Sequence, residues 1–333
     1  MGNNLSIYRN LIRPALFLLP AESAYDLATV ALRLSPLWRV IGAMNSFESS
    51  NIRTTVGGIN IKNPVGLAAG LDKDCKVLPA LSSLGFGYVT CGTVTLHPRP
   101  GNPKKRLIRD RSREALINSM GFPNKGLDSA VERIKRARRR CLDTPIVVSV
   151  SGTEIDDIVT CHRRLEPLVD AVEINISSPN TEGLRIFQEP DVLETLLNTI
   201  NAGRSKPLFV KMPPFPRKTR MLRTTIPVEN PQLEVGSGGL SGKPIYEQML
   251  RMVSEMRERI GDKADINACG GVFTAKDARR VIEAGATTIQ MLTGFVYNGP
   301  CVAPHINKAL SNSLAETHGV GSIHELVAIK TRA

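Results

Sequence analysis

From about residue 55 onward, short apolar runs that end in glycine or polar residues alternate with longer stretches of helical periodicity. The runs are 64–69 (PVGLAA), 86–91 (FGYVTC), 145–150 (PIVVSV), 171–176 (AVEINI), 207–212 (PLFVKM), 264–269 (ADINAC) and 286–292 (ATTIQML). Helical patterns occupy 76–84, 126–140, 154–168, 190–202, 244–260 and 274–284, the last stopping at Gly285. Strands and helices alternating over about 240 residues predict parallel βα units. A doubly wound sheet would carry G-x-G-x-x-G after its first strand. Here that strand runs into AAGLDK, residues 68–73. The pattern therefore predicts an α/β (β/α)8 TIM barrel, with the eighth unit in the segment 213–236, rich in Pro, Lys and Arg.

The first 45 residues read differently. Leu11, Ala15, Leu18 and Leu19, then Tyr25, Leu27, Ala28, Val30, Ala31 and Leu34, recur at helical spacing on either side of Pro20. Two short amphipathic helices fit, lying on a membrane surface or packed on the domain. The apolar run 14–21 is far below the ~20 residues of a spanning helix. The expected division is a helical segment, 1–45, and a barrel, 46–333.

A net charge of +12 is concentrated in runs 104–113, 133–140 and 217–223. Such a surface attracts anions, although at 133–140 the basic residues surround an apolar helical stripe of Val131, Ile134 and Ala137. Aromatics make up only 5% of the chain, so the stacking platforms of RNA-binding proteins are not evident and no nucleic-acid partner is expected. The six cysteines form no C-x-x-C pair. Free thiols and no metal site are expected.

Chemistry in such folds gathers at the carboxyl ends of the strands. There the sequence places AAGLDK; the octapeptide INISSPNT, residues 174–181; Lys211, closing LFVK; CGG, residues 269–271; GGLSGK, residues 238–243; and LTG, residues 292–294. Glycine-rich turns after the last strands suit a phosphate. Lys211 could stabilise an anion forming on a cofactor. Asn118, Asn175 and Asn180 offer amides to a substrate with alternating carbonyl and N–H edges.

Taken together, YRNLIRPALFLLPAESAYDL, NPVGLAAGLDKD, GFGYVTCGTVTLHPRPGNPKKRL, INSMGF, INISSPNTEGLR, GGLSGKP and ACGGVFTAKDARRVIEAGATTIQMLTGFVYNGP resemble the quinone-using class of dihydroorotate dehydrogenases over nearly the whole chain. The resemblance implies an FMN-binding barrel that oxidises dihydroorotate to orotate for pyrimidine synthesis. It implies a membrane quinone as acceptor and a peripheral place on the cytoplasmic face of the cell membrane. Ser178 would be the general base, with Thr181 able to relay its proton, and Lys211 would contact the flavin. Asn118, Met120, Gly121, Phe122, Asn175, Asn180, Arg223 and Thr224 would surround the substrate. Ala68, Ala69, Lys73, Thr93, Ser149 and Asn175 would line the flavin, with Ser241, Gly242, Gly270, Gly271, Leu292 and Thr293 toward its phosphate.

Three departures accompany the resemblance. Lys211 and the matching Arg223-Thr224 pair are only 12 positions apart, which shortens one βα unit. Arg223 stands where the family has asparagine. Ser149 lies near a position where the quinone class carries asparagine. The alternative is a paralogue that binds FMN without turning over dihydroorotate. A flavin barrel acting on RNA is disfavoured, because that family uses a catalytic cysteine.

Overall fold

The computed structural model describes residues 2–140, 142–177, 183–212, 227–230, 232–316 and 321–331. The chain opens with helices α1 (Gly2–Ile7), α2 (Arg13–Leu18), α3 (Ala21–Leu32) and α4 (Ser35–Asn45), with a π-type turn at Tyr8–Ile12. A hairpin follows, β1 (Thr54–Val56) with β2 (Ile59–Ile61). Then come β3 (Val65–Leu67), α5 (Leu78–Leu81), β4 (Tyr88–Val94), β5 (Leu107–Asp110), β6 (Ala115–Asn118), α6 (Gly126–Arg138), β7 (Ile146–Val150) and α7 (Ile155–Leu165). The second half holds β8 (Ala171–Asn175), α8 (Pro190–Asn201), β9 (Leu208–Lys211), β10 (Pro227–Glu229), β11 (Ser237–Gly242), α9 (Tyr246–Ile260), β12 (Asn267–Cys269) and α10 (Ala275–Glu283). It closes with β13 (Thr288–Met291), α11 (Thr293–Asn298), α12 (Val302–Ala315) and α13 (Ile323–Thr331).

All seven expected strands form one parallel sheet in the order β12-β13-β3-β4-β7-β8-β9. Helices pack on its outer face, as parallel sheets require. On β8, Val172 and Ile174 join the large core that includes Leu127, Ile134, Ile158 and Leu196. Ala171, Glu173 and Asn175 alternate to the inside. The β1–β2 hairpin plugs the floor, where Val56 and Ile61 pack with Tyr88, Val147 and Ala171. The architecture is that of a βα barrel, curled so that its edge strands β9 and β12 approach each other. Lys211 at the end of one and Cys269 at the end of the other feel each other's charge.

Among the described residues β9 and β12 each pair on one side only. β9 is half-buried along its length, whereas β7 and β8 are buried at every position. Residues 213–226, fourteen in all, separate Met212 from Pro227. A parallel crossover uses a dozen or more before its strand begins.

Across the barrel mouth lies an antiparallel sheet, β10-β11-β6-β5. It corrects one expectation. GGLSGK is a strand, with Gly239, Leu240, Ser241 and Gly242 opposite Asn118, Ile117, Leu116 and Ala115, so it is not an open phosphate loop. Three arginines of the basic run 104–113 are likewise committed internally. Arg106 pairs with Glu22 at 2.7 Å. Arg109 donates to the carbonyl oxygens of Leu16 and Leu19, and Arg111 to that of Phe17. The guanidinium groups of Arg109 and Arg111 thus bond carbonyls at and just past the end of α2.

The N-terminal helices break at Pro20, as expected, and again at Arg33–Leu34, where α3 and α4 meet at 85°. Phe17 anchors α2 edge-on against Tyr297, with ring centroids 5.2 Å apart. The thiols of Cys75, Cys91, Cys161, Cys269 and Cys301 are free, while Cys141 lies outside the described residues.

Candidate active site

The strand ends converge on one cavity of about 650 Å³, well within the ~300–1,000 Å³ usual for ligand sites. The turn after β3 forms one wall. Ala68 N–H donates to the Met291 carbonyl (3.0 Å), and Gly70 N–H to that of Gly92 (3.0 Å). Gly70 has φ +112°, a conformation open to glycine. Asp72 beneath it is buried and accepts from the amides of Lys76 (2.7 Å) and Val77 (2.9 Å). Burial pushes its carboxyl up to about 6, against the pull of those amides.

Lys73 faces the cavity with its ammonium 3.7 Å from the centre of the Tyr25 ring on α3. Burial, with Arg106 adding to it, lowers its pKa to about 8, so its charge fades just above neutrality. Tyr25 is itself fixed by donating its hydroxyl to the Leu71 carbonyl at 2.8 Å.

A polar cluster joins the ends of β4, β7 and β8. Asn175 Nδ2 donates to Thr93 Oγ1 at 3.0 Å, and Thr93 shares a hydrogen bond of 3.1 Å with Ser149. Ser151 donates to the Asn175 carbonyl (2.8 Å), and Ser177 donates both N–H and Oγ–H to Asn175 Oδ1, at 3.1 and 2.8 Å. Thr93 and Asn175 line the cavity. Ser149 is fully buried behind Thr93 and does not, so it acts on the cavity through Thr93. Ser177, whose side chain braces Asn175, was not anticipated; its tract drew attention to its neighbours instead.

Lys211 lines the wall opposite the β3 turn. Burial works against its ammonium, but the neighbouring Cys269 and Glu173 outweigh it, and its pKa lies above the ordinary lysine value. From the antiparallel sheet and the turn after it come Asn118, Met120, Gly121 and Phe122. Gly121 has φ +69° and abuts Asn102, while Phe122 also sits at positive φ.

The glycine-rich end is compact. Ser241 and Thr293 hydroxyls share a hydrogen bond of 2.9 Å. A Cβ on Gly242 would come 2.3 Å from the Glu114 carbonyl oxygen, and one on Gly294 2.3 Å from that of Val272. On Gly271 it would meet the Tyr246 backbone at 2.7 Å. Only glycine lets these segments close up beside Gly270, Leu292 and Thr293, all on the cavity wall. The amides of Thr293 and Gly294 open α11 and have no partner within it.

The cavity continues past Leu107 and Arg109 to the inner faces of the N-terminal helices, where Tyr8, Leu16, Phe17, Ala21, Ala24 and Ala28 line it. Ser178, Asn180, Arg223 and Thr224 lie outside the described residues. Among the described residues no group of acidic, His and Cys side chains could hold a metal ion.

Comparison with known proteins matches this geometry. The family model for dihydroorotate dehydrogenase fits residues 51–221 and 215–314. A dihydroorotate dehydrogenase (quinone) of Chloroflexus aurantiacus is 39% identical over 91% of this chain and 96% of its own. Those of Mycobacterium bovis and Methylococcus capsulatus are 33% and 35% identical, over 97% and 92% of the chain and 98% and 99% of their own. A crystal structure of the dihydroorotate dehydrogenase of Eimeria tenella in complex with ferulenol superposes with a TM-score of 0.81 at 27% identity, covering 96% of this chain and 99% of that one. The Chloroflexus alignment spans 349 positions, more than the 333 residues here, so the relative has residues without a counterpart. The two parts of the family match meet at 215–221, at the shortened βα unit. On sequence, strand order and the placement of its strand-end residues, the chain belongs to the dihydroorotate dehydrogenase family.

Proposed function

We propose that this protein oxidises dihydroorotate to orotate with bound FMN, passes the electrons to a membrane quinone, and serves pyrimidine synthesis from the cytoplasmic face of the cell membrane. The observation that carries the reading is the continuous cavity from the barrel's strand ends to the inner faces of α2 and α3. A single space thereby reaches both a polar pocket and an apolar tunnel.

The residues present fit FMN. Small side chains at Ala68 and Ala69 leave room for a flat ring, with Lys73, Thr93 and Lys211 around it. The closely packed glycines beside Thr293, with the first amides of α11, suit an anionic phosphate. Held there, FMN would supply a hydride acceptor for the substrate and an electron donor for the quinone. The chain's own part is to hold dihydroorotate by the amides of Asn118 and Asn175, with Asn180 and Arg223 completing the grip, and to take a ring proton at Ser178 Oγ. Phe122, half-buried at the mouth, screens that proton transfer from water.

The outer faces of the helices support the membrane side. Among the described residues, all the exposed large apolar side chains but Ile186 and Val235 lie between Ile7 and Met44, with Leu18 at 83% and Met44 at 74%. Among the described residues no single helix is long and apolar enough to cross a membrane. Such a patch suits a lipid surface.

An anaerobic titration tests the reading. Dihydroorotate should bleach the bound flavin, and a quinone analogue should restore its colour; a yellow protein that dihydroorotate does not bleach sinks it. That outcome would establish the second reading, a flavin-binding paralogue without this turnover, which the short spacing of 12 positions between Lys211 and Arg223 favours. A second test addresses the phosphate end. Gly294→Val drives a side chain into the Val272 carbonyl and should weaken FMN binding by at least about tenfold, on the order of 1.4 kcal/mol. Fluorescence quenching of added FMN reads this, and an unchanged affinity would move the phosphate elsewhere.

A further inference from the structure

We infer that Glu173 is a positioning residue whose carboxylate, sealed inside the barrel below the rim, serves as the counter-charge that keeps Lys211 an ammonium facing the cavity. The inference extends the FMN reading and concerns a residue that the reaction outlined above does not use. In the register of β8 with β9, Glu173 lies opposite Phe209 and Asn175 opposite Lys211. Alternation puts all four side chains on the inner face of the sheet, so Glu173 sits one step below Asn175 and diagonal to Lys211. It is only 2% exposed, and among the described residues its Oε1 has no hydrogen-bond partner. A carboxylate so placed is costly unless a positive charge compensates it.

Among the described residues, the other titratable groups facing this space do not supply that charge. Tyr88 on β4 donates its hydroxyl to Asn267 Oδ1 at 2.7 Å, and burial, with Glu173 adding to it, keeps the phenol neutral. Burial also raises the thiol of Cys269 on β12, with Lys211 opposing. Lys211 is the cation that interacts with Glu173. Burial alone would drive Lys211 toward its neutral form. Without Glu173, the positive charge set beside the flavin would therefore be lost at lower pH.

The test reads Lys211 itself and does not depend on FMN. In full-length protein with isotope-labelled lysine, Lys211→Met identifies the Lys211 side-chain resonance, which is then titrated in the parent, in Glu173→Gln and in Glu173→Asp. Glu173→Gln should titrate at least about one pH unit below the parent. Glu173→Asp, which keeps the charge but withdraws it by one methylene, should shift less in the same direction, and it decides the matter should the glutamine variant not fold. A Lys211 titration unmoved by these substitutions overturns the inference. In the FMN-loaded protein, the pH above which the flavin's midpoint potential falls with Lys211 deprotonation should move down in parallel. Failure of the parent to take up FMN would count against the functional reading alone, because the lysine titration stands without it.

Discussion

Ser178→Ala is expected to leave FMN bound while slowing its reduction by dihydroorotate by about 10²–10⁴-fold at neutral pH, the usual contribution of a positioned general base. The residue lies outside the described structure, but the chain leading into it is fixed. Asn175 holds the backbone and side chain of Ser177 through its Oδ1, and Ser151 holds the Asn175 carbonyl. Ser178 thus follows directly from a braced strand end. A neutral serine hydroxyl is a poor base, so as it takes the ring proton it must pass its own proton on through water or Thr181. The alanine removes the first acceptor but none of the groups assigned to the flavin. Stopped-flow bleaching under anaerobic conditions separates the two effects. Reoxidation by quinone should proceed at the parental rate once the flavin has been reduced chemically. If variant and parent are reduced equally fast by dihydroorotate, Ser178 takes no part in the proton transfer.

The barrel was readable in the sequence because a strand buried on both faces is a short, nearly unbroken apolar run. Runs such as PIVVSV and AVEINI stand out against their helical neighbours. Asn175 and Lys211, which lie at the ends of two such runs, could be placed for the same reason, and both line the cavity; Thr93 came from the family resemblance. The antiparallel sheet over the mouth was not. Its strand Ser237–Gly242 is half glycine, a composition that signals a turn, and it is specified by pairing with residues 115–118, far away in the chain. The break between α3 and α4 did leave a signal, Pro36 in the first turn of α4, but the apolar periodicity runs through it. Arg109 and Arg111 read as part of a surface for anions because their partners, carbonyls at the end of α2, carry no sequence signature. Glu173 was hidden in a strand that otherwise reads as apolar; its isolation shows only once the barrel closes around it.

Removing α1 to α3 by starting the chain at Leu34 should separate the two half-reactions. Flavin reduction by dihydroorotate should stay within a few-fold of the parent, whereas reoxidation by a membrane quinone should fall on the order of 10²-fold, the scale of losing a positioned partner. The cut is placed to spare α4. A Cβ on its Gly42 would lie 2.0 Å from the Ser83 carbonyl oxygen, and Ser83 donates to the Trp38 carbonyl at 3.0 Å, so this helix is part of the barrel wall. What is lost is the apolar half of the cavity, lined by Tyr8, Leu16, Phe17, Ala24 and Ala28. A water-soluble one-electron acceptor should reoxidise parent and truncated protein alike, which shows that the flavin itself is intact. A milder variant isolates the outer face. Leu18 is 83% exposed, so Leu18→Glu leaves the packing unchanged, yet it places a charge where a lipid surface is proposed. It should weaken co-sedimentation with vesicles and slow turnover with vesicle-borne quinone, while a soluble quinone analogue is used normally. A truncated protein that reduces membrane quinone at the parental rate would reduce these helices to packing, and the quinone would have to reach the flavin by another route.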